Sequence, residues 1–300
     1  MLGNEHTETP TTQPSIGGAA EISVPTDNPG PGVDCPTCNG AATVPASFIY
    51  ALGRIEPRFP RLSVEKEFTQ ATGRADTANL SDRQALHRVL SERPNRYLVR
   101  QLCWVMLVGG LETYLLYPRD PVDLDQLVDA VRPRPNAADL DLVIGVRGPL
   151  ASADVCNGLT VPIVIFDQIY SFDRAHLISS IPRPDNQTEA EFAAASEELF
   201  DRMMGMADNA GATDEHRALN YLAMRYPQIY AAVTEAHAAN SSLSAVDVRP
   251  SHLTGLRKVV EVIFSFTNRG TDVVTKQFAR VDVTDQFPFL VSKLAPYFDR

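Results

Sequence analysis

The chain has 300 residues, 44% of them hydrophobic and 21% charged, and carries a net charge of −10 from 27 basic and 37 acidic side chains. That is enough chain for one large domain or two ordinary ones, burying about three quarters of the unfolded surface without disulfide staples. The acidic balance, with no run or stripe of Lys and Arg, argues against nucleic acid or an anionic membrane as partner, because affinity there begins with neutralising phosphates. No apolar run approaches the ~20 residues of a bilayer span. The first residues lack the cationic start and apolar core of a signal peptide, so a cytoplasmic location is the expectation.

Residues 1–33 are rich in Pro, Thr and Gly and nearly free of large apolar side chains, which reads as a flexible tail ahead of a domain over 34–300. "SFIYALGRIEPRF" (47–59) is β-branched and aromatic and closed by Pro57 and Pro60, a strand. "LSVEKEFTQATG" (62–73) and "LSDRQALHRVLSERP" (80–94) read as helices, the first ending at Gly73 and the second capped by Ser81 and stopped by Pro94. In "QLCWVMLVGGLETYLLYP" (101–118) two β-rich runs flank Gly109-Gly110, which supplies the positive φ angles of a tight hairpin. A short helix follows at 122–132, then buried strands at 139–150 and 159–172. A helical block at 188–240, broken by Gly211 and Pro227, has the look of a subdomain. "LSAVDVRPS", "LRKVVEVIFSFTNRG" and "TDVVTKQFARVDVTD" close the chain as strands, with a second hairpin at Asn268-Arg269-Gly270. Strands beside hairpins, rather than alternating with helices, predict an α+β fold: a mainly antiparallel sheet with hairpins, flanking helices and a helical insertion.

Four cysteines in a chain expected to be cytoplasmic point to thiols or a metal before structural disulfides. "CPTC" is followed by Asn39-Gly40 and Pro45, turn sequence rather than the helix a thioredoxin-like dithiol needs. A metal knuckle fits that turn better, and "CNG" recurs at Cys156-Asn157-Gly158. Cys35, Cys38, Cys103 and Cys156 are then enough for one closed, structural Zn²⁺ site. Against this stands a plainer reading: Cys103 as a small buried apolar residue beside Trp104, with Cys35 and Cys38 incidental.

A catalytic constellation is hard to find. Glu215-His216 opens like a zinc-protease helix, but residue 220 is Asn, and no nucleophile elbow, P-loop or dinucleotide loop occurs. "FDQIYSFDR" places Asp167, Gln168, Tyr170, Asp173 and Arg174 at the end of an apolar strand, a possible binding loop. The competing reading is a helix start capped by Ser171 or Asp173 with Arg174 in solvent. Arg54, Arg58, Arg61 and Arg74 make a patch for a peptide carboxylate or else pair with Glu56, Glu65 and Glu67. Met203, Met204 and Met206 read as core filler.

From about Cys35 onward the chain resembles the C-terminal domain of the cyanobactin-maturation proteins PatG and PatA. The strings that carry the resemblance are "ALGRIEPRFP", "LSVEKEFTQATGRADT", "NRYLVRQLCWVMLVGGLETYLL", "CNGLTVPIVIFDQIYSFDR", "ALNYLAMRYPQIY" and the run from "VIFSFTNRGTDV" to "FPFLVSKLAPYFDR". In that family the domain is attached to subtilisin-like proteases or macrocyclases that process ribosomally made peptides, and its own role is unknown. The resemblance implies a free-standing version that acts by association, without the protease chemistry. The expectation is a non-catalytic accessory or scaffold that docks a processing enzyme or precursor peptide and forms a homodimer, the commonest oligomer. The rival is a peptide-modifying enzyme using Asp167, Tyr170 or the arginines.

Overall fold

The computed structural model describes residues 47–74, 80–183, 188–206, 208–252 and 255–298. The 1–33 tail and the first two cysteines lie outside them. Five strands close into a barrel in the order β1-β2-β3-β5-β4: β1 Phe48–Arg58, β2 Cys103–Val108, β3 Leu111–Pro118, β4 Asp139–Leu150 and β5 Pro162–Asp173. The β2–β3 hairpin turns at Gly109 and Gly110, both at positive φ (58° and 82°), as the sequence requires. Neighbouring strands are antiparallel except β3 and β5, whose parallel pairing runs from Leu115–Ile163 to Pro118–Phe166. Antiparallel pairing predominates, as expected, and this one parallel pair among the described strands closes the barrel. It is possible because β4 intervenes, giving the crossover that a parallel pair needs.

The period of two sorts the barrel residues. Ile49, Ala51, Ile55, Trp104, Met106, Tyr114, Leu116, Val143, Val164 and Phe166 share one apolar cluster. The short helices α1 Leu62–Arg74, α2 Asp82–Ser91, α3 Arg96–Gln101 and α4 Leu124–Val131 feed Val64, Leu90, Leu98 and Leu127 into the same cluster. Ser81 caps α2, as read, and the structure completes a capping box with Gln84. At Gly145 a Cβ would lie 2.4 Å from the Ile165 carbonyl oxygen, so the β4–β5 approach excludes any side chain there.

After α5 Arg174–Ser179 the helical block resolves into α6 Glu189–Met204, α7 Asp214–Arg225 and α8 Gln228–Ala238. It is not an insertion in a single sheet. Phe192, Leu199, Phe200, Met203, Leu219, Leu222, Ile229 and Tyr230 pack on one face of a separate four-stranded sheet, whose Val260, Val262, Phe264 and Phe266 face them. That sheet is β6 Ser241–Pro250, β7 Val259–Asn268, β8 Val274–Asp282 and β9 Phe289–Pro296, in that order and antiparallel throughout. The methionines are core filler: Met203 is fully buried and Met204 and Met206 pack against the same cluster.

Outward-facing barrel residues join the two halves. Tyr50, Leu52, Leu142 and Ile144 pack with Tyr221 and Met224 of α7. The buried Asn220 side chain donates to the Tyr50 carbonyl (2.9 Å) and exchanges hydrogen bonds with Asn209, while the Tyr50 amide donates to Gly211 (3.0 Å). A polar network this enclosed and this fully paired fixes one relative placement of helix and strand.

Candidate functional site

Cys103 begins β2 and points away from the barrel interior, opposite Trp104 and Met106. Residues 151–161 fold back over that outer surface, held where the Ala151 amide donates to Val161 (2.8 Å). Cys156, in this loop, is buried among Val105, Leu115, Ala151 and Leu159, and the chain turns away from it through Asn157 and Gly158 at φ 45° and 90°. The "CNG" turn therefore exists as read. Its thiol joins Cys103 in a disulfide, with Cα atoms 5.9 Å apart, which corrects the expectation of thiols ahead of disulfides. Cys35 and Cys38 lie outside the described residues, and among the described residues no group of three or more His, Cys, Asp or Glu could hold a metal.

The bridge closes a 53-residue separation, for which chain entropy gives about 4 kcal/mol. Cys103→Ser is expected to lower the urea-unfolding free energy of the oxidised chain by up to that amount, roughly 3–4 kcal/mol. A thiol reductant should bring the native chain down to the same level. Equal stability of variant and parent in oxidising buffer would contradict the bridge.

The five residues of the proposed binding loop lie on or just after β5, and each makes a specific contact. Asp167 pairs with Arg119 and accepts from the Gln286 amide. Gln168 donates to Gln126 (3.2 Å), whose oxygen also takes the Ile169 amide (2.6 Å). Tyr170 lies beneath the Arg225 guanidinium at 4.9 Å. Asp173 caps α5, accepting from the His176 amide (3.0 Å), and takes a hydrogen bond from Asn136 (3.0 Å). Arg174 reaches Asp201 (2.7 Å) and stands over Phe200. Asp167, Tyr170 and Arg174 thus tie the barrel to the C-terminal half. Of the arginine patch, Arg54 donates to the Asp139 and Ala137 carbonyls and Arg58 pairs with Glu112, so these two take partners other than the glutamates named from sequence.

A second cluster escaped the sequence reading. On the face of the C-terminal sheet away from the helices, Arg249 of β6, Glu261 of β7 and Arg280 of β8 stand side by side in register. Glu261 is only 6% exposed. One of its oxygens takes Arg280 Nε and Nη2 (2.9 Å each) and the Ser251 hydroxyl (3.1 Å); the other lies 3.4 Å from Arg249 Nε and Nη2. Arg280 lies over Phe278 (4.8 Å), Arg249 over Tyr297 (5.1 Å), and the two rings meet edge to face at 5.6 Å. These side chains, with His252, Pro296 and Phe298, line a cavity of about 490 Å³. The available signal was the alternation in "VDVRP", "VVEVIF" and "KQFARVD", which places the charges on one face once register is known.

Burial pushes the Glu261 carboxyl up, but hydrogen bonds from Arg280, Ser251 and Arg249 and the Arg280 charge more than offset it and hold the group below the usual carboxylate range. Its contribution to stability is therefore present above the unfolded-state value and lost as pH falls through the depressed folded one. Glu261→Gln is expected to flatten the acid limb of a melting-temperature profile. A parallel downward shift of the whole profile would contradict this.

Three comparisons bear on the chain. The PatG C-terminal family model matches residues 186–297, which run from the approach to α6 through β9. The chain carries a PatG C-terminal-like domain. A solved structure described as the PatG domain of unknown function superposes on 84% of this chain and 98% of its own, with a TM-score of 0.68 at 19% identity. At that identity the likeness establishes the fold, and its coverage extends into the barrel as well as the PatG C-terminal-like sheet and helices. No curated protein matches the chain. No helix among the described residues is long and apolar enough to cross a membrane.

Proposed function

We propose that this chain is a non-catalytic docking module of a ribosomal-peptide pathway of the cyanobactin kind, holding a processing enzyme or precursor peptide. The observation that carries the reading is the groove on the far face of the C-terminal sheet, an aromatic and arginine-lined surface that, Phe298 apart, lies inside the segment matching the PatG C-terminal family model. The polar residues of β5, by contrast, hold the barrel to the C-terminal half. The test is co-elution of the purified chain with the purified processing enzyme and precursor of its own pathway. Separate elution of every component at micromolar concentration would overturn the proposal.

The homodimer is part of the same proposal, measured by light scattering on the eluting peak. A Zn²⁺ ion held by Cys35, Cys38, Cys103 and Cys156 is also proposed for the reduced chain. Its support is that Cys103 and Cys156, from separate elements, meet. Metal analysis of reduced protein tests it: one zinc per chain, lost in Cys156→Ser, is expected, and metal-free folded protein would refute it.

A further inference from the structure

We infer that the groove on the C-terminal sheet binds the terminal carboxylate of a peptide through Nη1 of Arg249 and of Arg280. This rests on the docking reading and names the chemistry of the partner. Each guanidinium carries five N–H donors. Nε and Nη2 of both arginines are engaged with Glu261, and Arg249 Nη2 also with the Tyr297 hydroxyl. Among the described residues neither Nη1 has a partner, although both side chains line the cavity. The rings of Phe278 and Tyr297 lie against the guanidiniums and hold them in place, so little ordering entropy remains to be lost on binding.

The charge balance selects the ligand. Two arginines against one glutamate leave the groove one unit positive, on a chain of net charge −10. A single carboxylate matches that local excess, whereas a polyanion would meet the repulsion of the whole acidic surface. Phe278, Pro296 and Phe298 supply an apolar wall for the residue that bears the carboxylate, and about 490 Å³ accommodates one or two residues.

The test is an NMR titration of the full ¹⁵N-labelled chain, followed at the arginine Nε resonances, with acetyl-Leu-Phe-Leu as free acid, the same peptide as C-terminal amide, and inorganic phosphate. The acid is expected to shift the Arg249 and Arg280 signals and to bind at least about tenfold more tightly than the amide, a charge-assisted bidentate contact being lost in the latter. Arg249→Gln should weaken the acid by about the same factor and leave the amide unchanged. Equal binding of acid and amide, shifts confined to other signals, or displacement of the peptide by phosphate at equal affinity would each overturn the inference. Should Arg249→Gln fail to fold, the titration of the native chain decides alone. Capture of pathway proteins by a chain that does not bind the acid would sink this inference only; failure of capture with the acid bound would sink the docking reading only.

Discussion

Arg217→Ala is expected to lower the unfolding free energy by about 3–5 kcal/mol, the combined cost of buried carbonyls left without a donor and of the cavity left by a large buried side chain. Arg217 sits in α7 at 2% exposure. Its Nη1 donates to the Val283 carbonyl (2.8 Å), its Nη2 to the carbonyls of Asp285 and Gln286, and its guanidinium lies 5.3 Å over the Phe48 ring, with Asp214 at 3.5 Å. One side chain therefore joins a helix, the first barrel strand and the turn between β8 and β9. Alanine would leave those carbonyls without their donor and open a cavity under Phe48. Arg217→Lys should recover little, because an ammonium cannot reach divergent carbonyls as a planar fork does. Urea unfolding measures both, and a loss below about 1 kcal/mol in the alanine variant, the size of an ordinary surface change, would show that this junction is not as described.

Asp141→Ala has a comparable expected cost, again about 3–5 kcal/mol, and for a related reason. The carboxylate is fully buried on β4 and accepts from the Ile55 amide (2.9 Å), the Ser171 hydroxyl (2.7 Å) and Arg132 Nη2 (2.9 Å). It sits where β1, β5 and the end of α4 converge, and Arg132, which ends α4, is itself at positive φ (52°). Removal leaves the Ile55 amide and the Ser171 hydroxyl without their acceptor and takes from the half-buried Arg132 its nearer carboxylate, leaving it Asp139 at 3.7 Å. Arg132→Met in the same background should restore part of the loss, since removing both charges of a buried pair costs less than removing one. Strict additivity in that double-mutant cycle would show that the pair does not interact.

Much of this architecture was legible before the structure. The β2–β3 hairpin announced itself through Gly109-Gly110, α2 through Ser81 and Pro94, and the α7–α8 break through Pro227. Local chemistry fixes such features. Closure was not legible, because alternation says which side of a strand is apolar but not which strand it meets, and the parallel β3–β5 pair follows from no local signal. β9 was missed because "FLVSKLAP" shows no clean polar–apolar alternation in its sequence, although its exposure alternates once it is paired. The same limit hid the groove: Arg249, Glu261 and Arg280 are 12 and 19 residues apart in sequence and become neighbours only through strand register. Asp167, Tyr170 and Arg174 were singled out as polar residues ending an apolar strand, and sequence could not say that their partners would be Gln286, Arg225 and Asp201.

The most direct test of the docking account is native mass spectrometry of the purified chain mixed with its pathway's processing enzyme and precursor peptide. The account predicts a complex of the chain with at least one of them, with the precursor's own mass unchanged by the chain alone. A precursor altered in mass by the chain, or spectra showing only free components, would contradict it.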